Sequence, residues 1–315
     1  MNIFSKTRSF LMSMRFWKWS SEVVDVQQQI MRLRGEFAEM QQQAAQFRSE
    51  ISELHSNLNL IQLDSVQQQR FLRESLLTLR YHSSINTPVN LAAPAKLKNI
   101  IPISKQFDLL QQIAPDAYAV WRPLLEVNEK AYDGLPVNSC SVSGHPMATL
   151  FRFFLVPYLR GRVLDIGCGP QSRPTYLEDY PVEAVYGVDP LSEPEDHPFH
   201  FIKGFAEYLA WEDDQFKVVV AATSLDHVLL LDKVFEEIYR VLSKDGVFIV
   251  WVGFVPGSMP YNPYQSTIDK VDDYHLFHFD RDWFLDAISP YFTVFEEYPV
   301  DKWSTFFALR SKKVV

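Results

Sequence analysis

From Val23 onward, apolar residues recur at alternating intervals of three and four. With Val23 as heptad position a, the a positions are Val23, Ile30, Phe37, Ala44, Ile51 and Leu58. The d positions are Val26, Leu33, Met40, Phe47, Leu54 and Ile61, and the positions between are filled mainly by Gln, Glu, Arg and Ser. A 3.5-residue apolar period held over this length is the mark of a left-handed coiled coil, because a lone helix would leave its seam in water. The pattern predicts a coiled-coil helix over residues 20–82 and a homo-oligomer formed through it. A long amphipathic helix folded back on its own chain is the competing arrangement. Past Ile61 the seam weakens, with Ser65 at a and Gln68 and Ser75 at d, before Leu72 and Leu79 resume it. Gly35 is the internal breaker, at a cost of about 1 kcal/mol. Large Phe37, Met40 and Phe47 suit no single packing rule, so the oligomer order stays open.

The period then changes. Pro88, Pro94 and Pro102 interrupt residues 83–104, which read as a linker or an arm. Helices follow around Asp116–Tyr132 and Pro146–Tyr158, placed to cover a sheet edge or roof a pocket. From Arg162 the pattern predicts strands at 162–166, 184–188, 199–202, 217–222, 247–252, 292–297 and 304–310. Helices are expected at 174–179, 205–210, 228–242 and 281–288. Such alternation means an α/β domain, here residues 105–315, with a doubly wound, mostly parallel sheet covered on both faces.

Composition narrows the setting. A chain of 315 residues with 47% hydrophobic residues can bury a sizeable core, and a net charge of -9 argues against a nucleic-acid partner. Its two cysteines, Cys140 and Cys168, are far apart and build no disulfide framework, so a reducing compartment is the default. No apolar run reaches the roughly 18 residues of a membrane span, and residues 1–19 make a poor secretory signal. The expected location is cytoplasmic. Residues 1–19 do carry Lys6, Arg8, Arg15 and Lys18, no acid, and interleaved Phe4, Phe10, Phe16, Trp17 and Trp19. That pairing suits peripheral contact with anionic lipid at the inner face of a membrane, against a plain lead-in to the helix.

The chemistry centres on Val163-Leu164-Asp165-Ile166-Gly167-Cys168-Gly169-Pro170. A buried strand ending in a glycine turn lets backbone amides approach a ligand, and Asp189, ending the next strand before Pro190, can accept both hydroxyls of a ribose. A nicotinamide fingerprint wants a third glycine where Ser172 stands, with Pro174 just beyond. The missing glycine and the acid at Asp165 disfavour a pyrophosphate, and an adenosyl ligand carrying an ammonium fits better.

Four segments together resemble the successive motifs of class I S-adenosylmethionine-dependent methyltransferases. They are Leu164–Gly169, Gly187-Val188-Asp189, Gly204–Leu209 and Ser224-Leu225-Asp226-His227-Val228. The resemblance covers roughly residues 145–310 and implies a Rossmann-like, seven-stranded methyltransferase fold behind the coiled coil. It implies that Asp165, Gly167, Cys168 and Gly169 hold the methionine end of S-adenosylmethionine, and that Asp189 and Pro190 flank the ribose. Ala206 and Glu207 match the loop at the adenine edge, and Thr223 the position beside the sulfonium. Gln171 departs from the pattern, standing where many members have a third glycine. The chain also looks like methyltransferases of bacterial surface-polysaccharide assembly, which implies a sugar hydroxyl as acceptor.

Methyl transfer to a hydroxyl needs a proton acceptor aligned with the methyl group. His227, preceded by Asp226, is the candidate base, because imidazole titrates near neutrality. A helix-capping or packing role is the alternative. Asp226 and His227 could instead ligate a divalent metal, but two adjacent ligands are a weak signal, so no metal site is assigned. His275 and His278, set among aromatic residues after an insertion bearing Tyr261, Pro263 and Tyr264, are expected to place at least one imidazole in the acceptor pocket. A small phenol or quinone-type acceptor competes with the sugar. A non-catalytic coiled-coil scaffold that keeps a cofactor fold is the rival of a different class.

Overall fold

The computed structural model describes residues 4–85, 89, 93–134 and 145–313; side chains of residues 4–27, 30, 53–66 and 132–134 lie outside this description. Seven strands form one sheet: β1 (Val163–Ile166), β2 (Val185–Asp189), β3 (His200–Lys203), β4 (Phe216–Ala222), β5 (Leu242–Gly253), β6 (Phe292–Pro299) and β7 (Ser304–Ser311). Their order is β3-β2-β1-β4-β5-β7-β6. The first five run parallel, and β7 lies antiparallel to both β5 and β6. β1 has β2 on one side and β4 on the other, so the winding reverses between β1 and β4. The crevice at the carboxyl ends of those two strands is where a doubly wound sheet binds ligands.

The central strands are apolar without alternation because both faces are covered. Val219 and Ala221 of β4, with Phe248 and Val250 of β5, join one core layer; Val218, Val220, Val247 and Ile249 join the other. The first layer packs against α2 (Ile103–Ile113), α3 (Pro115–Gly134), α5 (Leu231–Val241) and α6 (Arg281–Ile288). The second packs against α4 (Pro146–Leu155) and the turns around Tyr176 and Tyr180.

Several expected boundaries move. The helices expected at 174–179 and 205–210 are single 3-10 turns, Thr175–Leu177 and Ala206–Tyr208. Pro174 immediately precedes the first and Pro181 follows it, so little room remains for an α-helix. The helix expected from residue 228 starts at Leu231, and β5 begins five residues ahead of the expected 247. Helix α2 went unforeseen, and it starts at Ile103, inside the residues read as linker.

Helix α1 is assigned over Phe4–Ser84, with residues 4–19 helical; the basic and aromatic side chains there lie outside the described residues. Two compact units divide at Leu72/Arg73. Within the first unit, Leu33, Phe37, Met40, Phe47 and Ile51 are all exposed, with Leu33 and Phe47 at 63%. In the second unit, the last turns of α1 belong to the core. Leu77 is 2% exposed and clusters with Phe151, Phe154 and Phe306. Arg80 pairs with Glu296 of β6 at 2.5 Å and donates to the Tyr158 hydroxyl at 3.0 Å, while the Tyr81 hydroxyl donates to Asp179 at 2.7 Å. Among the described residues no helix is long and apolar enough to cross a membrane.

Truncating Leu77 leaves a hole beneath α4. Leu77→Ala is expected to lower unfolding stability in urea by about 2–5 kcal/mol; a loss below about 0.5 kcal/mol, the usual size of a surface effect, would show that α1 does not complete this core.

Candidate functional site

At the end of β1 the backbone turns through Gly167 (φ +68) and Gly169 (φ +72), a left-handed conformation that L side chains resist. A Cβ on Gly167 would also lie 2.4 Å from Ser224 Cβ, so the turn presses directly on the loop after β4. Ser224 Oγ donates to the Ile166 carbonyl at 2.6 Å. On the other flank the Gly167 amide donates to the Val188 carbonyl at 2.8 Å, and the Gly169 amide to Asp189 Oδ2 at 3.0 Å. Asp189 Oδ1 accepts from the amides of Leu191 at 2.8 Å and Ser192 at 3.1 Å. Burial pushes the Asp189 pKa up and these amide donors oppose the rise. One carboxylate thus fastens the two turns that face each other across the crevice.

Asp165 is the second buried acid. Its Oδ2 accepts from the Tyr176 hydroxyl at 2.9 Å, and Oδ1 meets no donor among the described residues. Burial raises its pKa to about 7, against the Tyr176 bond and with a small push from Asp189. Glu207, also buried, accepts from the amides of Leu229 at 2.9 Å and Leu230 at 3.0 Å, fastening the entry to α5. Its pKa is raised by burial and opposed by those amides.

These turns enclose a cavity of about 430 Å³, within the ordinary range for small-molecule pockets. Gly167, Gly169, Asp189, Pro190, Ala206, Glu207 and Thr223 line it, as do Asp226, His227 and His275. Thr223 sits at φ +54, a strained conformation for a β-branched residue, at the mouth of β4. Three expected residues lie elsewhere. Asp165 is fully buried behind the wall, where Tyr176 presents the surface instead. Cys168 points into the core, its sulfur only 3.0 Å from where a Cβ on Gly187 would lie, so its thiol does not reach the cavity. His278 is turned away from the cavity, with Nε2 at 3.1 Å from Asp272 Oδ2. The insertion aromatics are also occupied. Tyr261 stacks on Phe277 at 4.4 Å and donates to the Leu229 carbonyl, and Tyr264 donates to Asp232.

Helix α3 forms one wall, presenting Trp121, Leu125, Asn128 and Ala131, whose spacing puts them on one helical face. Trp121 Nε1 donates to the His227 carbonyl at 2.8 Å. Asn128 Nδ2 donates to the Tyr274 carbonyl at 3.1 Å and stands 3.4 Å from His227 Nδ1. The rings of His227 and His275 lie 4.5 Å apart, with Asp226 beside both: Oδ1 is 4.0 Å from His227 Nε2, and Oδ2 is 3.8 Å from His275 Nε2. Burial lowers the His227 pKa, Asp226 opposes the shift and His275 adds to it, which favours the uncharged imidazole. His275 Nδ1 stands 2.9 Å from both oxygens of Asp272. Burial would raise Asp272, but the amides of Tyr274 and His275 and the His275 ring hold its pKa at about 2.

Sequence reading missed Trp121, Asn128 and Gln106. Gln106, 2% exposed on α2, accepts from the Phe205 amide at 2.8 Å and donates to the Ile101 carbonyl at 2.7 Å, steadying the loop after β3. A lone Gln in an amphipathic helix gives no signal of that role.

Residues 164–250 match a family model described as a methyltransferase domain. That stretch, from β1 into β5, is similar to methyltransferase domains. S-adenosylmethionine is the cofactor, and the cavity suits it. Among the described lining residues no Lys or Arg appears, while Asp189, Glu207 and Asp226 do. Asp165 holds an unpaired buried oxygen just behind. A ligand bearing a sulfonium and an ammonium complements that acidic lining; a pyrophosphate does not. The uncharacterized methyltransferase YcgJ of Bacillus subtilis is 26% identical over 123 residues, covering 36% of this chain and 48% of the relative. The chain therefore matches about half the length of that relative. The PH0226 protein of Pyrococcus horikoshii is 24% identical with a TM-score of 0.45, covering 58% of this chain and 99% of the other. The 1,6-didemethyltoxoflavin-N1-methyltransferase of Burkholderia thailandensis, solved with its substrate and S-adenosylhomocysteine, is 15% identical with a TM-score of 0.44, covering 69% and 94%.

The raised Asp165 pKa gives a pH test of this wall. Between its ordinary value of 3.8 and about 7, the folded chain binds this proton more tightly than the unfolded chain. Wild-type stability therefore falls as pH rises through that window. Measured by urea unfolding without cofactor, the stability of Asp165→Asn relative to wild type should climb by about 1–4 kcal/mol from pH 4 to pH 8. A flat difference would mean that Oδ1 has a partner inside the fold.

Proposed function

We propose that this chain transfers the methyl group of S-adenosylmethionine to a hydroxyl of a small acceptor, with His227 taking the proton. The observation that carries the reading is the His227 imidazole on the wall of an acid-lined cavity at the β1/β4 reversal, where burial lowers its pKa. The Gly167–Gly169 turn, with Asp165 buried behind it, receives the methionine end, Asp189 and Pro190 the ribose, and Ala206 and Glu207 the adenine edge. The cofactor supplies an electrophilic methyl carbon on a positively charged sulfur. As the acceptor hydroxyl gives its proton to His227 Nε2, its oxygen bonds the methyl carbon and the C–S bonding pair stays on sulfur. Asp226, 4.0 Å from that nitrogen, stabilises the imidazolium that forms. Helix α3 walls one side of the site.

The acceptor we propose is a sugar of bacterial surface polysaccharide, supported by the sequence resemblance; the apolar α3 face around Leu125 and Ala131 favours a phenol or quinone-type acceptor instead. Calorimetry should show S-adenosylhomocysteine binding to wild type that Asp189→Ala abolishes. Labelled methyl transfer to a panel of lipid-linked glycans, free sugars and phenols then names the acceptor. His227→Ala should keep cofactor affinity and lose about 10²–10⁴ in turnover. No binding by wild type overturns the reading, and unchanged turnover in His227→Ala removes the base.

The reading extends to a homo-oligomer through α1, supported by the exposed seam residues Leu33, Phe37, Met40, Phe47 and Ile51. It places the chain in the cytoplasm, with residues 1–19 at the inner face of a membrane, supported by their cations and aromatic residues. Light scattering should give a larger stoichiometry for the full chain than for residues 73–315; equal values would rule out the coiled coil.

A further inference from the structure

The geometry points to a binding site for one divalent first-row transition metal, held by Asp226, His227 and His275 on the acceptor side of the cavity. One ligand atom from each of these residues can be chosen so that all three lie within 4.8 Å of one another. His275 Nε2 is 3.8 Å from Asp226 Oδ2, and His227 Nε2 is 4.0 Å from Asp226 Oδ1. Both gaps are too long for a hydrogen bond. Two donors each bound at about 2.0–2.2 Å to one ion stand roughly 3–3.5 Å apart, so small side-chain rotations close the set.

Two further observations point to a cation. Asp226 Oδ1 is buried and meets no hydrogen-bond partner among the described residues, a costly state for a carboxylate unless something positive completes it. The far nitrogen of each imidazole is also already engaged. His275 Nδ1 is held by the Asp272 carboxylate at 2.9 Å, which fixes the ring with Nε2 toward Asp226. Asn128 stands 3.4 Å from His227 Nδ1. A carboxylate behind a histidine is the usual outer support of a metal ligand.

A neighbouring triad, Asp272, His275 and His278, has comparable spacing. Its carboxylate is already satisfied by the amides of Tyr274 and His275, each at 2.7 Å, and by both rings. Neither Asp272 nor His278 lines the cavity, whereas Asp226, His227 and His275 all do. Two imidazoles and one carboxylate suit zinc, iron, cobalt or nickel rather than magnesium or calcium, which prefer oxygen. Three protein ligands leave coordination positions open, as in catalytic rather than structural sites.

Its role rests on the methyl-transfer reading, although metal binding itself does not. With the ion present, His227 is a ligand and not the base. The acceptor hydroxyl, coordinated at an open position, loses its proton to solvent; its oxygen forms the new bond to the methyl carbon, and sulfur keeps the C–S pair.

The test titrates the chelator-stripped full chain with cobalt(II), read by visible d–d absorption and calorimetry. We expect one equivalent to bind, with affinity lowered at least about tenfold in Asp226→Asn and in His275→Ala. His278→Ala should bind cobalt as wild type does. S-adenosylhomocysteine titration of every variant confirms the fold and tests the methyltransferase reading separately. Absence of saturable cobalt binding by wild type overturns the metal site, as does binding lost in His278→Ala but kept in Asp226→Asn. If stripped enzyme turns over as fast as metal-loaded enzyme, the role fails while the base role of His227 stands.

Discussion

The crevice depends on carboxylates buried among backbone amides. Asp189 holds the Gly169 amide with one oxygen and the Leu191 and Ser192 amides with the other, so two turns from neighbouring parallel strands share one anchor. Glu207 does the same for the chain entering α5. A charge in such a place is costly unless donors surround it, and here the donors are main-chain groups fixed by the sheet. Asp165 is the exception: one of its oxygens has no partner, and its pKa rises accordingly. The fold therefore sets acids around the crevice, and the cost of burying them is spread over the surrounding main chain.

Much of this architecture was legible because buried parallel strands are written as unbroken apolar runs. β4 and β5 stand out as Val218–Ala222 and Val247–Val252, and the acids that end β1 and β2 mark where the chain turns toward a ligand. The short crossovers were harder to read. Pro174 and Pro181 reduce the expected helix after β1 to a single turn, and no periodicity survives over so few residues.

The site was legible only where residues are adjacent in sequence. The glycine turn, Asp189, Thr223 and the Asp226–His227 pair sit at strand ends, positions that a strand assignment already locates. Asn128 and Trp121 reach His227 from about 100 residues upstream, and Gln106 reaches Phe205 from α2. Such pairings depend on how helices dock, which heptad or strand patterns do not encode. Cys168 and His278 show the converse error. Both sit inside a motif or cluster, yet the alternation of the chain turns Cys168 into the core, and the Asp272 carboxylate draws His278 aside.

The antiparallel β7 bears on how the chain is made. It is last of the seven in chain order, yet it lies between β5 and β6 and not at the sheet's rim. Until residues 304–311 leave the ribosome, the edge of β5 stays unpaired, and Leu77 lacks Phe306 as a core neighbour. The domain consequently cannot finish folding from its N-terminus forward, since its closing contacts span most of its length. Helix α1, whose main-chain hydrogen bonds are local, is free to form well before that. In a growing chain, α1 is thus complete before the crevice beyond β1 and β4 exists.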